Sequence, residues 1–433
     1  MKKVLFIAVV LVPMFLFAQK KGKDVEEVKY RRSSLHIMMI EDDKLPEREI
    51  IVGAFKNAPF PNKYNDHNIG VVRAPYIQIE EGTEVKKEEG DEQGKNKIKG
   101  GDKVIEAFFD KQKIANKLVA KWFNQTDKGD FNMELIADRG QYDATDLDVK
   151  KAGGQARSVN SQLIDAGFEL IDKTFVVINK FNFFENEIPA KIAHELALEL
   201  VNEMKADNPL MVKIKQAAKQ KADDLYERMR KGYTVTTRAF LYKLDWSDAV
   251  STIFYNDYWV DENTPEAEKQ KRFDLFKNSD LFQLNFVGMD KARILILNLK
   301  GGDLTKQQII AEATTRSIDR VYAKLQKGYD VFKPKTPLLT YDKNNCSAKI
   351  GMKEGLEGKE KFEVLEQGVN KEGRTVYKKI LTIQVDPERV WDNRFKVADA
   401  PTMDGDDVAI QATYFNKCKT TKLYPGILIR QLK

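Results

Sequence analysis

Residues 167–184 read GFELIDKTFVVINKFNFF, and the run Phe175-Val176-Val177-Ile178 inside them organises the reading of the whole chain. Four consecutive β-branched or aromatic residues leave no polar position for a solvent-facing side, so the run predicts a strand buried on both faces. Helical patterns flank it. Upstream, a short helix is expected at 158–166, with Gly167 as its C-terminal cap. Downstream, Ile188, Ile192, Leu196 and Leu200 recur every four residues, and Pro209 separates that helix from a second one over 211–230. The local picture is a central strand under covering helices.

Working outward, residues 33–40 (SSLHIMMI) predict a first strand with Leu35, Ile37 and Met39 on one face. A short helix over 47–55, a proline- and asparagine-rich turn over 57–67 and a strand near 69–79 follow. Segment 80–103 is dominated by Lys, Glu and Gly, too few apolar residues to offset its ordering entropy, and predicts a mobile loop. Val104, Phe108, Ile114, Leu118 and Trp122 place one helix over 104–123. Phe131, Met133 and Leu135 alternate with polar residues, which predicts a strand. Further strands are expected at 234–244, 282–287 and 293–299, with helices at 247–259 and 265–276. Thr305 and Gln308 form a capping box for a helix reaching Lys327. The sum is an α/β or α+β body over 28–329, a mixed sheet covered by helices.

After Tyr329 the pattern changes. Pro334 and Pro337 predict a stiff connector. Short strands then alternate with glycine turns, at 348–350, 361–366, 374–385, 408–415 and 426–432, with a hairpin turn at 370–373. Residues 338–433 therefore predict a small all-β barrel or sandwich.

The N-terminus has Lys2 and Lys3, an apolar stretch from Val4 to Phe17, and Ala18 before Gln19. This is the form of a secretory signal peptide over 1–18, and its apolar core falls short of the about 20 residues of a membrane span. The charged residues 19–27 predict a frayed leader. No later stretch is long and apolar enough to span a bilayer. Lys and Arg total 72 against 66 Asp and Glu, a net charge of +6, and the two signs are interspersed. A dedicated nucleic-acid binder shows a concentrated basic face instead, so no nucleic-acid partner is expected. Cys346 and Cys418 are the two cysteines. In an oxidising compartment they pair and staple the C-terminal domain, or they remain two separate buried thiols; composition leaves both open.

Chemistry-bearing motifs are few. His36, His67 and His194 are far apart. His194-Glu195 lacks the second histidine, since position 198 is leucine, so no zinc pair and no metal site is assigned. Asp66-His67 has no evident nucleophile beside it and fits a turn. No Gly-x-Ser-x-Gly elbow occurs. Segment 90–96 (GDEQGKN) has the wrong spacing for a phosphate loop, and Asp404-Gly405-Asp406-Asp407 lacks the ligand ladder of an EF-hand. No cofactor and no catalytic residue are assigned. The aromatic cluster of Trp246, Phe254, Tyr255, Tyr258 and Trp259 remains. Trp246, Tyr255, Tyr258 and Trp259 are the candidate binding residues, because flat rings stack on sugars or hold peptides, and core packing is the competing role.

The segments AKIGMKEG (348–355), KFEVLEQ (361–367), VWDNR (390–394) and YPGILIR (424–430), with RRSSLHIMMI, PNKYNDH (61–67) and 167–180, resemble a family of uncharacterised exported proteins of Bacteroidetes bacteria. The resemblance covers most of the chain and carries no catalytic residues with it. At the level of fold, Gly351, Gly355, Phe362 and Val364 are similar to a pattern in C-terminal barrels of flagellar-type envelope assembly proteins. The preceding order of strands and helices is similar to the curli secretion component.

These readings imply an exported, non-enzymatic cell-envelope protein, periplasmic, outer-membrane-associated or extracellular, which serves as a scaffold or assembly factor with an envelope protein partner. The alternative is a glycan- or peptide-binding module built on the Trp246–Trp259 cluster. A hydrolase with an unrecognised carboxylate site ranks last.

Overall fold

The computed structural model describes residues 30–76, 103–142, 167–296, 304–341, 346–370, 375–394, 410–418 and 422–432. The signal peptide expected at 1–18, the leader expected at 19–27, all but the last residue of the mobile loop expected at 80–103, the helix expected at 158–166 and residues Asp404–Asp407 lie outside them.

The apolar run lies in β4 (Thr174–Glu185), in the middle of a mixed sheet. The order is β2 (Asn65–Asp66), β1 (Ser34–Ile40), β4, β5 (Tyr233–Leu244), β6 (Leu284–Ile296), with β3 (Arg73–Ala74) also on β1. β1 runs parallel to β4, from Ser34 opposite Thr174 to Ile40 opposite Lys180; β4–β5 and β5–β6 are antiparallel. Alternation along β4 sends Phe175 and Val177 to one face, against α1 (Arg48–Lys56) and α10 (Lys306–Gly328). Val176 and Ile178 go to the other, against α2 (Lys103–Lys111) and α3 (Ile114–Trp122). All four side chains are fully buried, each contributing about 1.5–3 kcal/mol. The mixed α/β body expected from sequence is therefore present, and the Thr305–Gln308 capping box opens α10.

Several local expectations are overturned. The single helix over 104–123 is two helices, because Lys113 adopts φ 51°. The reason is rotational. Ile105 and Phe109 face the sheet with Ile114 and Leu118, but five residues of unbroken helix between Phe109 and Ile114 would turn Ile114 about 140° away. Val104, expected on the apolar face, is exposed. The strand at 131–135 is instead a loop entering α4 (Glu134–Tyr142), capped where Asn132 Oδ1 accepts from the Glu134 N–H at 3.1 Å. Gly167 is not a cap; it lies inside helix α5 (167–172), whose Leu170 and Ile171 join the core. Of the strand near 69–79, only β3 forms within the described residues. The strands at 282–287 and 293–299 are one, β6, in which a register shift at Leu241/Tyr242 of β5 carries the ladder through Gly288. The free edge of β6 is met by Tyr329, whose hydroxyl accepts from the Met289 N–H at 3.0 Å and donates to the Met289 carbonyl at 2.9 Å.

The C-terminal part is a closed antiparallel barrel of six strands: β7 (Thr336–Tyr341), β8 (Cys346–Ala348), β9 (Lys361–Val369), β10 (Thr375–Val385), β11 (Thr413–Asn416) and β12 (Leu428–Gln431). Closure in the order β10-β11-β8-β7-β12-β9 gives every strand a neighbour on both sides. Of the expected stiff connector, Pro334 precedes β7, whereas Pro337 belongs to that strand, opposite Leu428. Cys346 and Cys418 form a disulfide with Cα atoms 6.2 Å apart, which settles the alternative left open by composition. Segments 348–355 and 390–394 meet in one corner. The Met352 N–H donates to the Trp391 carbonyl at 2.9 Å and the Lys353 N–H to Asn393 Oδ1 at 2.7 Å. Glycine is required on both sides of that turn. A Cβ on Gly351 would lie 2.3 Å from the Trp391 carbonyl oxygen, and Gly355 has φ +83°.

Body and barrel are joined by named contacts. On the body side, the Tyr64 hydroxyl fixes the segment leading into the barrel by donating to the Phe332 carbonyl at 2.7 Å and accepting from Gln326 Nε2 at 3.1 Å, and Lys63 beside it donates to the Lys349 carbonyl of the barrel. Lys353 pairs with Asp319 of α10 at 3.5 Å. At a second joint, Tyr377 of β10 donates to Glu169 of α5 at 3.2 Å and also bonds the Tyr30 hydroxyl. Lys335 lies 3.9 Å over the Tyr377 ring. Burial, reinforced by the Lys173 charge, lowers the Lys335 ammonium to about 7.

Candidate interaction surface

The expected aromatic binding cluster does assemble, as part of a core. Trp246, which follows β5, is 2% exposed. Its ring centroid lies 5.9 Å from Phe123 and 5.5 Å from Phe254. Tyr255, Tyr258 and Trp259 sit half-buried on the same cluster, on or just after a π-helical turn (Phe254–Tyr258) that follows α8 (Asp248–Ile253). Trp259 stacks on Phe131 at 5.7 Å and donates its indole N–H to Asp261 at 3.0 Å. Tyr258 hydrogen-bonds Ser279 at 3.0 Å, and burial pushes the Tyr255 hydroxyl up to about 12. The rings are thus spent largely on one another and on neighbouring phenylalanines.

The histidines occupy three separate places. His36, on β1, is fully buried and donates Nε2–H to the Val71 carbonyl at 2.9 Å, with Nδ1 buried and unpartnered among the described residues. Burial lowers it to about 4. His67 is also fully buried. Its Nδ1 accepts from Arg139 at 2.9 Å while Nε2–H donates to the Leu118 carbonyl, and burial followed by the Arg139 charge holds it well below the usual imidazole range. Asp66-His67 is therefore a strand end locked against α3 and α4, where solvent does not reach the imidazole. Among the described residues no three His, Cys, Asp or Glu side chains converge as a metal ion would require. A cavity of about 270 Å³ runs between α2 and the start of β6, lined by Glu106, Asp110, Asn116 and Asp280. A second of similar volume is lined by Glu185, Arg230, Tyr233 and Lys306.

The most unusual surface lies between β4 and β5. Their connection is a helical hairpin, α6 (Glu187–Glu203) and α7 (Pro209–Arg230). It starts directly from the sheet, where the Asn186 N–H donates to the Gly232 carbonyl at 3.1 Å and Thr234 donates to Asn186 Oδ1 at 2.8 Å. The helices pack chiefly on each other. Ala190 and Val201 are buried between them, and His194 bonds Asp223 at 2.7 Å while stacking on Tyr226 at 4.7 Å. His194 thus faces α7. Lys215 ties the tip by donating to the Asn202 and Met204 carbonyls, and Asn208 caps α7 by accepting from the Met211 N–H at 2.9 Å.

That packing uses only the inner face. The four-residue repeat read from sequence points outward: Leu196 is 57% exposed and Leu200 68%, joined by Leu210 at 67% and Ile214 at 43%. Each of these four immediately precedes a less exposed residue on the inner face: Ala197, Val201, Met211 and Lys215. One residue is a 100° turn in the same sense on both helices, and in an antiparallel pair equal turns reach the same side. The four therefore form one apolar patch near the hairpin tip. Of the 18 exposed large hydrophobic residues among those described, 8 lie on this hairpin, a concentration that marks an interaction site rather than ordinary surface scatter. A sequence signal existed in α6, which carries apolar residues on two faces, Ala190, Ala197 and Val201 as well as the outward repeat. A helix needs only one apolar face to pack on its neighbour.

No family model matches the chain, and no curated protein matches it. Among the described residues no helix is long and apolar enough to cross a membrane.

Proposed function

We propose that the chain is an exported, non-enzymatic protein of the cell envelope, periplasmic or outer-membrane-associated, that acts as a scaffold or assembly factor. The observation that carries this reading is the solvent-facing apolar patch of the α6–α7 hairpin. A hairpin mounted on the two central strands of a rigid sheet, exposing Leu196, Leu200, Leu210 and Ile214, is suited to holding another polypeptide. The signal-peptide form of residues 1–18 and the disulfide-closed barrel both suit an oxidising compartment. A glycan-binding role is less well supported, since it would draw on Trp246, which is buried.

The test is cross-linking in intact envelopes followed by affinity purification, comparing the wild type with the double variant Leu196→Glu, Leu200→Glu. A specific set of cross-linked proteins that disappears in the variant is expected. Identical recoveries from both would refute a role for the hairpin.

A further inference from the structure

We propose that the apolar side of the α6–α7 hairpin is where a second copy of this chain docks, α6 of one copy lying against α7 of the other; this deepens, and rests on, the reading of the hairpin as a holding surface. Charge selects this occupant. Glu187, Glu195, Glu199 and Glu203 against Lys191 leave α6 at −3, whereas six cations against three acids leave α7 at +3. The exposed charges bordering the apolar patch follow the same division, with Glu199 and Glu203 on α6, and Lys213 on α7. Two copies meeting through this side with α6 on α6 would oppose like charges. With α6 on the partner's α7, every acidic edge meets a basic one, and both apolar stripes are covered in a four-helix arrangement with antiparallel neighbours.

The area is sufficient. α6 has 17 residues, so the face is about 25 Å long and, across two helices of about 10 Å each, about 20 Å wide. Covering it on both copies removes roughly 1,000 Å² from water, the lower bound for a specific interface. The contact is isologous and closes at two copies, because each hairpin offers both halves of the complementarity. Weak association is expected of so small an area, strengthened at low salt by the charged edges.

Sedimentation equilibrium and light scattering on the purified, disulfide-intact chain test this directly. A concentration-dependent shift to twice the monomer mass is expected. Leu196→Glu with Leu200→Glu, both at solvent-exposed positions, should weaken the association at least tenfold with an unchanged circular dichroism spectrum. Glu199→Lys should weaken it similarly, and adding Lys213→Glu to the same chain should restore it, which no nonspecific hydrophobic association would do. A monomer at all concentrations overturns the proposal, as does a dimer that ignores both sets of substitutions. So does a monomer that binds vesicles of anionic phospholipid through the same leucines. A chain that stays monomeric yet captures a different envelope protein through the hairpin would overturn self-docking and leave the holding function standing. A dimer with no other envelope partner would uphold the self-docking and remove the wider scaffold role.

Discussion

Lowering the pH should unfasten the body at its two buried histidines, and His36 sets the magnitude. Its imidazole is fully enclosed between β1 and the α2–α3 layer, with one nitrogen donating to Val71 and the other facing no partner among the described residues. In the unfolded chain the ring takes up a proton below about 6.5; in the native protein it does so only below about 4. Between those values the unfolded state binds more protons, so stability falls as pH drops from 6.5 to 4 and then levels off. The full effect is about 3 kcal/mol, and most of it is already lost at pH 4.5. His67 acts in the same direction, since protonating its Nδ1 would set it against the Arg139 guanidinium. Asp319 opposes both. Burial pushes its carboxyl up to about 6, so the native state binds the extra proton between about 3.8 and 6 and gains stability as pH falls through that window. Because these contributions offset each other, the informative quantity is the difference between wild type and His36→Gln, which keeps a donor for Val71. Urea titrations followed by tryptophan fluorescence suit this, because Trp122 lies 4.8 Å from the His67 ring. The variant's stability relative to wild type should rise by roughly 2–3 kcal/mol between pH 7 and 4.5. Parallel pH profiles for the two proteins would refute the assignment of His36 as a neutral buried group.

Two further outcomes follow from the joints of the fold. The disulfide closes a separation of 72 residues, so reduction should destabilise the barrel by about 4 kcal/mol on the chain-entropy account. Alkylating the unreduced protein should add no label by mass spectrometry, and two labels would disprove the bridge. Lys335, lowered to about 7 against its ordinary 10.5 by burial beside Tyr377 and Lys173, penalises the native state fully below pH 7 and progressively less up to 10.5. Lys335→Met should therefore raise the thermal midpoint more at pH 6 than at pH 9.5. The difference should be roughly 1–2 kcal/mol after allowing for partial solvent screening, or about 2–4 °C per kcal/mol by calorimetry. Equal shifts at both pH values would argue against a titrating lysine at this joint.

Much of the architecture was legible along the chain because it is encoded in neighbouring residues. Phe175 to Ile178 announce a strand covered on both sides, Thr305 with Gln308 announces the start of α10, and the glycine-punctuated strands after Tyr341 announce an all-β tail. Each depends on a backbone period or a cap that spans a few residues. What failed locally failed where a distant neighbour decided the outcome. The break at Lys113 exists because both Phe109 and Ile114 must face the same sheet. β6 stays whole because β5 accommodates its irregularity. β7 forms around Pro337 because β8 and β12 offer it partners.

The candidate site shows the same division. Sequence alone determined that Ile188, Ile192, Leu196 and Leu200 share a side of one helix, since that follows from 3.6 residues per turn. It could not tell whether anything covers them, because burial belongs to the pair of surfaces that meet, and only the tertiary structure shows α6 spending its other face on α7 and leaving this one in water. The aromatic cluster is the converse. Its residue types suit a binding platform, but their packing with Phe123, Phe131 and Phe282 places them in and against a core. Cysteine pairing and histidine burial were likewise decided by distance in space, which a one-dimensional pattern does not carry.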